Sequence, residues 1–317
     1  MNSLKHLYTC CFALLLFVLG TAEYGSAQTA PLRLPRPSQK ASVMQTVGVT
    51  DITIIYSRPG VKGRKIWGDP LPEQSSVKGE ATLDNQNVRP KDAVIVPWGH
   101  VWRAGANEAT QFIVTDDVLI NGQPLKAGTY SLHMIPTPEE WTIIFNNDAG
   151  QWGSFTYDAK KDALRVKTKP QMTADNQELL TYSLDSVTDN SAQVNIRWEK
   201  VRVPFTVEVK DVTALALEKA RAAVAAAKPD DPTTPLQAAN FALRNKDEEE
   251  GMRWLDQSIK AKPTFQNLSA KAVALFNAGH KDEAFALAEQ AIQRGKADKV
   301  DTAAFEKRVA NVKAGKM

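Results

Sequence analysis

Two short stretches of this 317-residue chain concentrate the side-chain types that recognition and catalysis require. The first runs from Tyr56 to Gly68. Four cations, Arg58, Lys62, Arg64 and Lys65, surround Gly60 and Gly63, and Trp67 follows. Glycines let a loop turn so that backbone N–H groups converge, and with guanidinium groups nearby such a loop can hold a carboxylate, sulfate or phosphate. It is not a nucleotide P-loop, because the Gly-x-x-x-x-Gly-Lys-Ser/Thr spacing is absent. The same residues also read as a tight Pro59-Gly60 turn with solvated charges. The second stretch runs from Val96 to Thr110. Trp102, Arg103, Asn107 and Glu108 supply an aromatic platform, a bidentate donor, an amide and a carboxylate, the groups from which a site for a polar ligand is built. The competing reading pairs Arg103 with Glu108 and lets Asn107 bond the backbone of its own turn.

The candidate ligand-binding residues are therefore Arg58, Arg64, Trp67, Trp102, Arg103, Asn107 and Glu108. No catalytic signature accompanies them: the chain has neither a His-Glu-x-x-His zinc motif nor a Gly-x-Ser-x-Gly nucleophile elbow. Glu108 is the first candidate for an acid or base acting on a glycosidic bond, with a second carboxylate such as Asp69, since the fold sets the separation of such a pair. His100, His133 and Glu108 have no regular ligand spacing, so neither a metal nor another cofactor is expected. Trp67, Trp98, Trp102 and Trp152 have rings that can stack on sugars, whereas Trp141 and Trp198 lie on alternating segments and read as core.

These residues must be positioned by a sheet. From Asp51 to about Lys210 apolar side chains alternate, as in Tyr130, Leu132 and Met134, in Trp141, Ile143 and Phe145, and in Val194, Ile196 and Trp198. Each strand then has one wet face, which predicts antiparallel sheets covered on one side. Asn121-Gly122 supplies the two left-handed positions of a tight hairpin turn, and Pro136-Thr137-Pro138 makes a longer hairpin loop. The expectation is an antiparallel β-sandwich, or a flattened barrel, over residues 51–210.

After Lys210 the period becomes helical. An Ala-rich helix and a Pro-rich linker occupy 211–235, with Pro229, Pro232 and Pro235 as breakers. Over 236–317 an internal repeat aligns Leu255 to Ile259 with Ala288 to Ile292 at an offset of 33 residues, the period of helix-turn-helix units that stack. The segment from Ala274 to Ile292 resembles the second half of a tetratricopeptide repeat. The whole is thus an α+β multidomain chain, with the β part followed by a short all-α domain.

The N-terminal residues set the compartment. Lys5, the apolar run from Leu7 to Leu19 and the small residues Gly25-Ser26-Ala27 have the order of a cleavable secretory signal over residues 1–27. The run is shorter than the roughly 20 residues that span a bilayer, so no transmembrane segment is expected after cleavage. Both cysteines, Cys10 and Cys11, leave with the signal, which excludes thiol catalysis and disulfide staples. An arm of residues 28–50 precedes the sheet. Charge is near balance, 39 basic against 36 acidic side chains, so no nucleic-acid partner is indicated.

The two chemical stretches also carry a resemblance. Arg58-Pro59-Gly60, Gly63-Arg64, Ile66-Trp67-Gly68, Val101-Trp102-Arg103, Gly105-Ala106-Asn107-Glu108-Ala109-Thr110, Ala127-Gly128-Thr129-Tyr130 and Trp141-Thr142-Ile143-Ile144-Phe145-Asn146 resemble the signature of domain-of-unknown-function family 2911, a group of exported bacterial proteins. Trp152-Gly153 and Trp198-Glu199-Lys200 fit as well, while His133 stands where the family has an aromatic residue. The resemblance implies an exported β domain with a helical tail and assigns no activity. The functional expectation is a periplasmic or secreted binding or assembly module of the bacterial envelope. It is non-catalytic, holds a glycan or an anionic small ligand on the β domain and docks a protein partner through the helical tail. The alternatives are a hydrolase of envelope glycan that uses Glu108, and a purely structural domain.

Overall fold

The computed structural model describes residues 34–72 and 92–316. The expected signal over 1–27, with Cys10 and Cys11, lies outside the described residues. Met1–Pro37 is a unit of its own, of which residues 34–37 are described and carry no strand or helix. Ser38–Met317 is the second unit.

Twelve strands lead the second unit among the described residues. A six-stranded antiparallel sheet has the order β1 (Gln39–Val47), β2 (Thr50–Arg58), β5 (Thr110–Val114), β8 (Gly128–Ile135), β9 (Trp141–Asn146) and β10 (Asp162–Thr168). A four-stranded antiparallel sheet has the order β11 (Gln171–Asp185), β12 (Ser191–Glu208), β6 (Val118–Ile120) and β7 (Gln123–Leu125). A parallel pair of two-residue strands, β3 (Trp67–Gly68) and β4 (Val96–Pro97), stands apart from both. Neither large sheet closes on itself, so the architecture is a sandwich and the barrel alternative falls away. Part of the stretch 28–50, expected as an arm, is the edge strand β1, paired residue for residue with β2.

The alternation read from the sequence has a direct structural cause. Ile52, Ile54, Phe112, Leu132, Met134, Ile143 and Phe145 of the first sheet meet Ile120, Tyr182, Val194, Ile196, Trp198, Val203, Phe205 and Val207 of the second in one core. Burying a large side chain of this kind stabilises by about 1.5–3 kcal/mol, which is why these positions are apolar. In β12 the buried set changes parity, from Val194, Ile196 and Trp198 to Val201, Val203, Phe205 and Val207. Glu199, at φ 55°, is the extra residue that makes the change, and the pairing with β11 shifts register there. A bulge with a left-handed residue bends a strand in this way without losing its inward face. Two runs that alternate separately in the sequence are therefore one strand. The Asn121-Gly122 turn joins β6 to β7 with both residues at positive φ, 47° and 80°, as the hairpin geometry requires.

One expectation fails in β8 and β9, where every residue from Tyr130 to Ile135 and from Trp141 to Asn146 is buried. The outer face of these central strands is covered by Val101, Tyr157 and a polar layer, so it is not wet.

Six helices follow: α1 (Val212–Ala226), α2 (Thr233–Arg244), α3 (Glu248–Ala261), α4 (Phe265–Asn277), α5 (Lys281–Ala297) and α6 (Ala303–Lys313). Asp211 caps α1 by accepting from the Ala214 N–H at 2.8 Å. Pro235, read as part of a linker, sits in the first turn of α2, where a missing N–H loses no hydrogen bond. Asp247 caps α3, and Glu248, Glu249 and Glu250 fill its first turn, where the helix dipole favours negative charge. α2 packs on α3 through Ala238, Ala239, Ala242, Trp254 and Leu255, and α4 packs on α5 through Ala272, Leu275, Ala284 and Ala288.

The first helix bridges the two halves. Val212 and Leu215 pack on the sandwich core, while Leu217, Ala220 and Val224 pack on the helical core. Gly48, at φ 60°, lets Val212 approach so closely that a Cβ there would lie 2.5 Å from Val212 Cγ1. Lys219 donates to the Val49 carbonyl at 2.8 Å and to Asp116 Oδ2 at 2.7 Å. On its other side, Arg221 donates to Glu250 at 2.8 Å.

Candidate functional site

The first basic stretch begins where β2 ends. Arg58 reaches to the second sheet, its Nε donating to the Leu180 carbonyl at 3.0 Å and its Nη2 to Thr181 Oγ1 at 2.7 Å. The loop that follows is bonded to the same strand: Val61 N–H donates to the Glu178 carbonyl at 2.9 Å, and Lys62 N–H to Glu178 Oε1 at 2.8 Å. Two of the loop's amides, those of Val61 and Lys62, are thus met by Glu178. Arg64 is exposed and folds back on its own loop, donating to the carbonyls of Val61 and Gly60 at 3.2 and 2.5 Å.

Trp67 meets a different set of partners. The short β3–β4 ladder carries it into a cluster with Trp98, Trp102, Trp141 and Trp198, with ring centroids at 6.2, 5.6, 5.0 and 5.6 Å. Trp102 also stacks on Trp198 at 6.0 Å, and its indole N–H donates to the Gly105 carbonyl at 3.2 Å. The indole N–H groups of Trp67, Trp141 and Trp198 are buried and have no oxygen or nitrogen acceptor. All three rings make edge-to-face contacts within the cluster, and a neighbouring indole face is a weak acceptor for such a donor. Trp67 and Trp102, both read as ligand platforms, are brought together here as packing. The sequence could not reveal this, because the five tryptophans come from four separate segments.

The second stretch folds into a tight turn. Ala104 and Asn107 have φ of 53° and 60°, and a web of bonds holds them there. Arg103 Nη1 donates to the Asn107 carbonyl at 2.8 Å, Thr110 Oγ1 and the Tyr182 hydroxyl both donate to the Ala104 carbonyl, at 2.9 and 2.8 Å, and Asn107 Nδ2 donates to the Ser38 carbonyl at 2.9 Å. Burial pushes the Tyr182 phenol well above its ordinary pKa, so it remains a donor. The Arg103 guanidinium also lies 5.8 Å from the centre of the Phe155 ring.

Glu108 has different surroundings. It is half-buried and lines a recess of about 80 Å³ together with Lys40, Ser57, Gln111 and Gln151. That volume admits a few waters or one small group, at about 30 Å³ per water. Asp69 is exposed and does not line this recess, and among the described residues no second carboxylate lines it with Glu108. Arg58, Arg64 and Arg103 do not line it either.

A polar layer that the sequence did not disclose lies over β8 and β9. His133 Nε2 is 3.1 Å from Ser131 Oγ, and Gln151 Nε2 donates to the Asp148 carbonyl at 3.1 Å. Tyr157 donates to Asp162 Oδ2 at 2.8 Å and accepts from Arg165 at 2.9 Å. Burial drives its phenol above the ordinary range. Ser131 and His133 have the types of a nucleophile and a base, but both are fully buried and fasten the 147–158 loop to the sheet. Their alternation with apolar neighbours made them look solvated. Among the described residues no group of three or more His, Cys, Asp or Glu is arranged to hold a metal ion.

A further open recess lies on the helices. A groove of about 500 Å³ runs between α2, α3 and α4 and is closed at one side by Phe305 of α6. It is lined by the apolar Leu243, Met252, Val273 and Ala274 and by the polar Asn240, Arg244, Glu248 and Asn277. Arg244 is exposed at the last residue of α2, and among the described residues it makes no ion pair.

An open two-sheet sandwich locked by an indole cluster, with a helical tail fixed to it by one bridging helix, defines the class of this protein. Within that class its family is shown: the model described as "Protein of unknown function (DUF2911)" matches residues 38–207, and the chain belongs to that family. No curated protein and no solved structure matches it.

Proposed function

We propose that this is an exported, non-catalytic docking protein. The β domain acts as a rigid base, and the tail, a short stack of tetratricopeptide-like hairpins, binds a polypeptide segment of a partner in the bacterial envelope. The observation that carries this reading is the groove of about 500 Å³ on the helices, lined by apolar side chains and by Arg244, which makes no ion pair among the described residues although Glu248 lines the same groove. Its size is in the range of about 300–1,000 Å³ found for ligand sites, and its composition, apolar contact with a few directional polar groups, suits a side chain plus a carboxylate. The sequence order of the leader supports export. Among the described residues no second carboxylate lines the recess at Glu108, so the docking reading is preferred to the hydrolase alternative.

The test is selection of peptides with free C-terminal carboxylates on the full chain, followed by fluorescence polarisation of the enriched sequences. Arg244→Glu and Val273→Asp are expected to weaken binding by about tenfold or more, at an unchanged melting temperature for Arg244→Glu. Enrichment of no sequence, or peptides that bind both variants as they bind the parent, sinks the docking reading.

A further inference from the structure

The β domain carries a second, smaller surface feature that the docking reading does not use. The segment 107–109 pairs with 151–153 in an isolated antiparallel bridge centred on Glu108 and Trp152. The flanking bonds, Gly153 N–H to the Asn107 carbonyl at 3.0 Å and Ala109 N–H to the Gln151 carbonyl at 3.1 Å, leave Glu108 and Trp152 as the non-hydrogen-bonded pair. Side chains of such a pair lie on the same face, with Cβ atoms about 4.5–5.5 Å apart. A carboxylate and an indole are therefore held side by side. Trp152 is 51% exposed and Phe155, in the same loop, is 36% exposed. This is unlike the other tryptophans described above, which pack together in the core.

The groups beside this half-exposed indole indicate what its open face suits. Trp152 does not itself line the recess, but its bridge partner Glu108 does, together with Lys40, Gln111 and Gln151. Gln151 is held by its Nε2, while its Oε1 is buried and accepts no hydrogen bond. An apolar protein surface or a lipid chain gains nothing from a recess with a carboxylate, an ammonium and two amides. A sugar ring matches both parts: its C–H face lies on the indole, and adjacent hydroxyls donate to the carboxylate and accept from the amides or the ammonium. The platform is rigid, because Arg103 holds the Asn107 carbonyl and packs on Phe155, and Gln111 Nε2 donates to the Ala149 carbonyl at 2.9 Å. We propose that Trp152 and Glu108 form a saccharide-binding site on the β domain, with the ring of the sugar on Trp152 and a hydroxyl pair on Glu108.

The experiment uses the full chain and four defined probes: chitotriose, cellotriose, maltotriose and trigalacturonate. Each is titrated by calorimetry and by tryptophan fluorescence. At least one is expected to bind with a Kd of about 1 mM or tighter. Trp152→Ala should weaken that binding about tenfold or more while leaving the melting temperature unchanged, Trp152→Phe should retain part of it, and Glu108→Gln should weaken it. The groove variant Arg244→Glu should bind the sugar as the parent does, so this site and the docking groove fail or stand separately. Absence of binding for all four probes, or binding that Trp152→Ala leaves intact, overturns the proposal. So does a Trp152-dependent association with phosphatidylglycerol vesicles in the absence of saccharide binding, which would assign the exposed indole to a membrane surface.

Discussion

The β domain and the helical tail use their polar side chains in opposite ways. In the β domain the guanidinium groups of Arg58 and Arg64 and the amide of Asn107 donate to main-chain carbonyls, and five tryptophans pack on one another. In the tail, Asn240, Arg244 and Asn277 line an open groove. A dense motif is therefore no guide to a ligand site, since polar residues at fixed spacing are also what a buried backbone needs for its hydrogen bonds. The groove, by contrast, has no conspicuous motif and is assembled from ordinary residues on three helices.

That contrast can be broken at several points. The largest effect is expected from Trp198→Ala, which removes a fully buried ring of the indole cluster and should cost about 3–5 kcal/mol in urea unfolding. A loss below about 1 kcal/mol would mean that the cluster is not the lock of the sandwich. Next comes Gly48→Ala, which puts a Cβ into Val212 at a left-handed φ. It should cost about 1–3 kcal/mol and loosen the bridging helix, visible as faster amide exchange in α1.

A pH dependence follows from Asp116, which receives bonds from Thr50, Thr115 and Lys219. Desolvation raises its pKa, but the bonds from Lys219, Thr115 and Thr50 outweigh it and hold the carboxyl below its ordinary value. A depressed folded-state pKa gives stability that is present above the unfolded value and lost as pH falls through the folded one. The advantage of the parent over Asp116→Asn should accordingly be full near neutrality and vanish in acid, as read from urea midpoints at stepped pH. An advantage that persists unchanged in acid would remove Asp116 as the charged strap between sheet and helix. The smallest effect belongs to Arg244→Glu, whose stability should stay within about 0.5 kcal/mol of the parent because the side chain supports nothing in the fold. A large loss there would erase the difference between the two regions.

Much of the fold was legible because burial imposes periods. The alternation of Val194, Ile196 and Trp198, the Asn121-Gly122 turn and the change to helices after Lys210 all reappear as read. The parity change at Glu199 was not legible, since a bulge needs a backbone conformation and not a residue type. The candidate site was read in part. Arg103 and Asn107 do meet, as a hydrogen bond inside one turn, and Glu108 does line a recess. Trp67 and Trp102 meet in the core, and the exposed aromatic ring is Trp152, which the sequence grouped with the other indoles.

By itself the sequence determined the order of a sandwich and a helical tail, the membership of its signature blocks and the absence of cysteine beyond residue 11. Those follow from composition and period, which act locally. Only the tertiary structure decided that Trp67 and Trp102 join Trp141 and Trp198 in the core while Trp152 is presented to solvent, that β8 and β9 are covered on both faces, and that a groove of about 500 Å³ lies on the helices. These depend on segments far apart in the chain arriving at one place, and a one-dimensional pattern carries no record of that meeting.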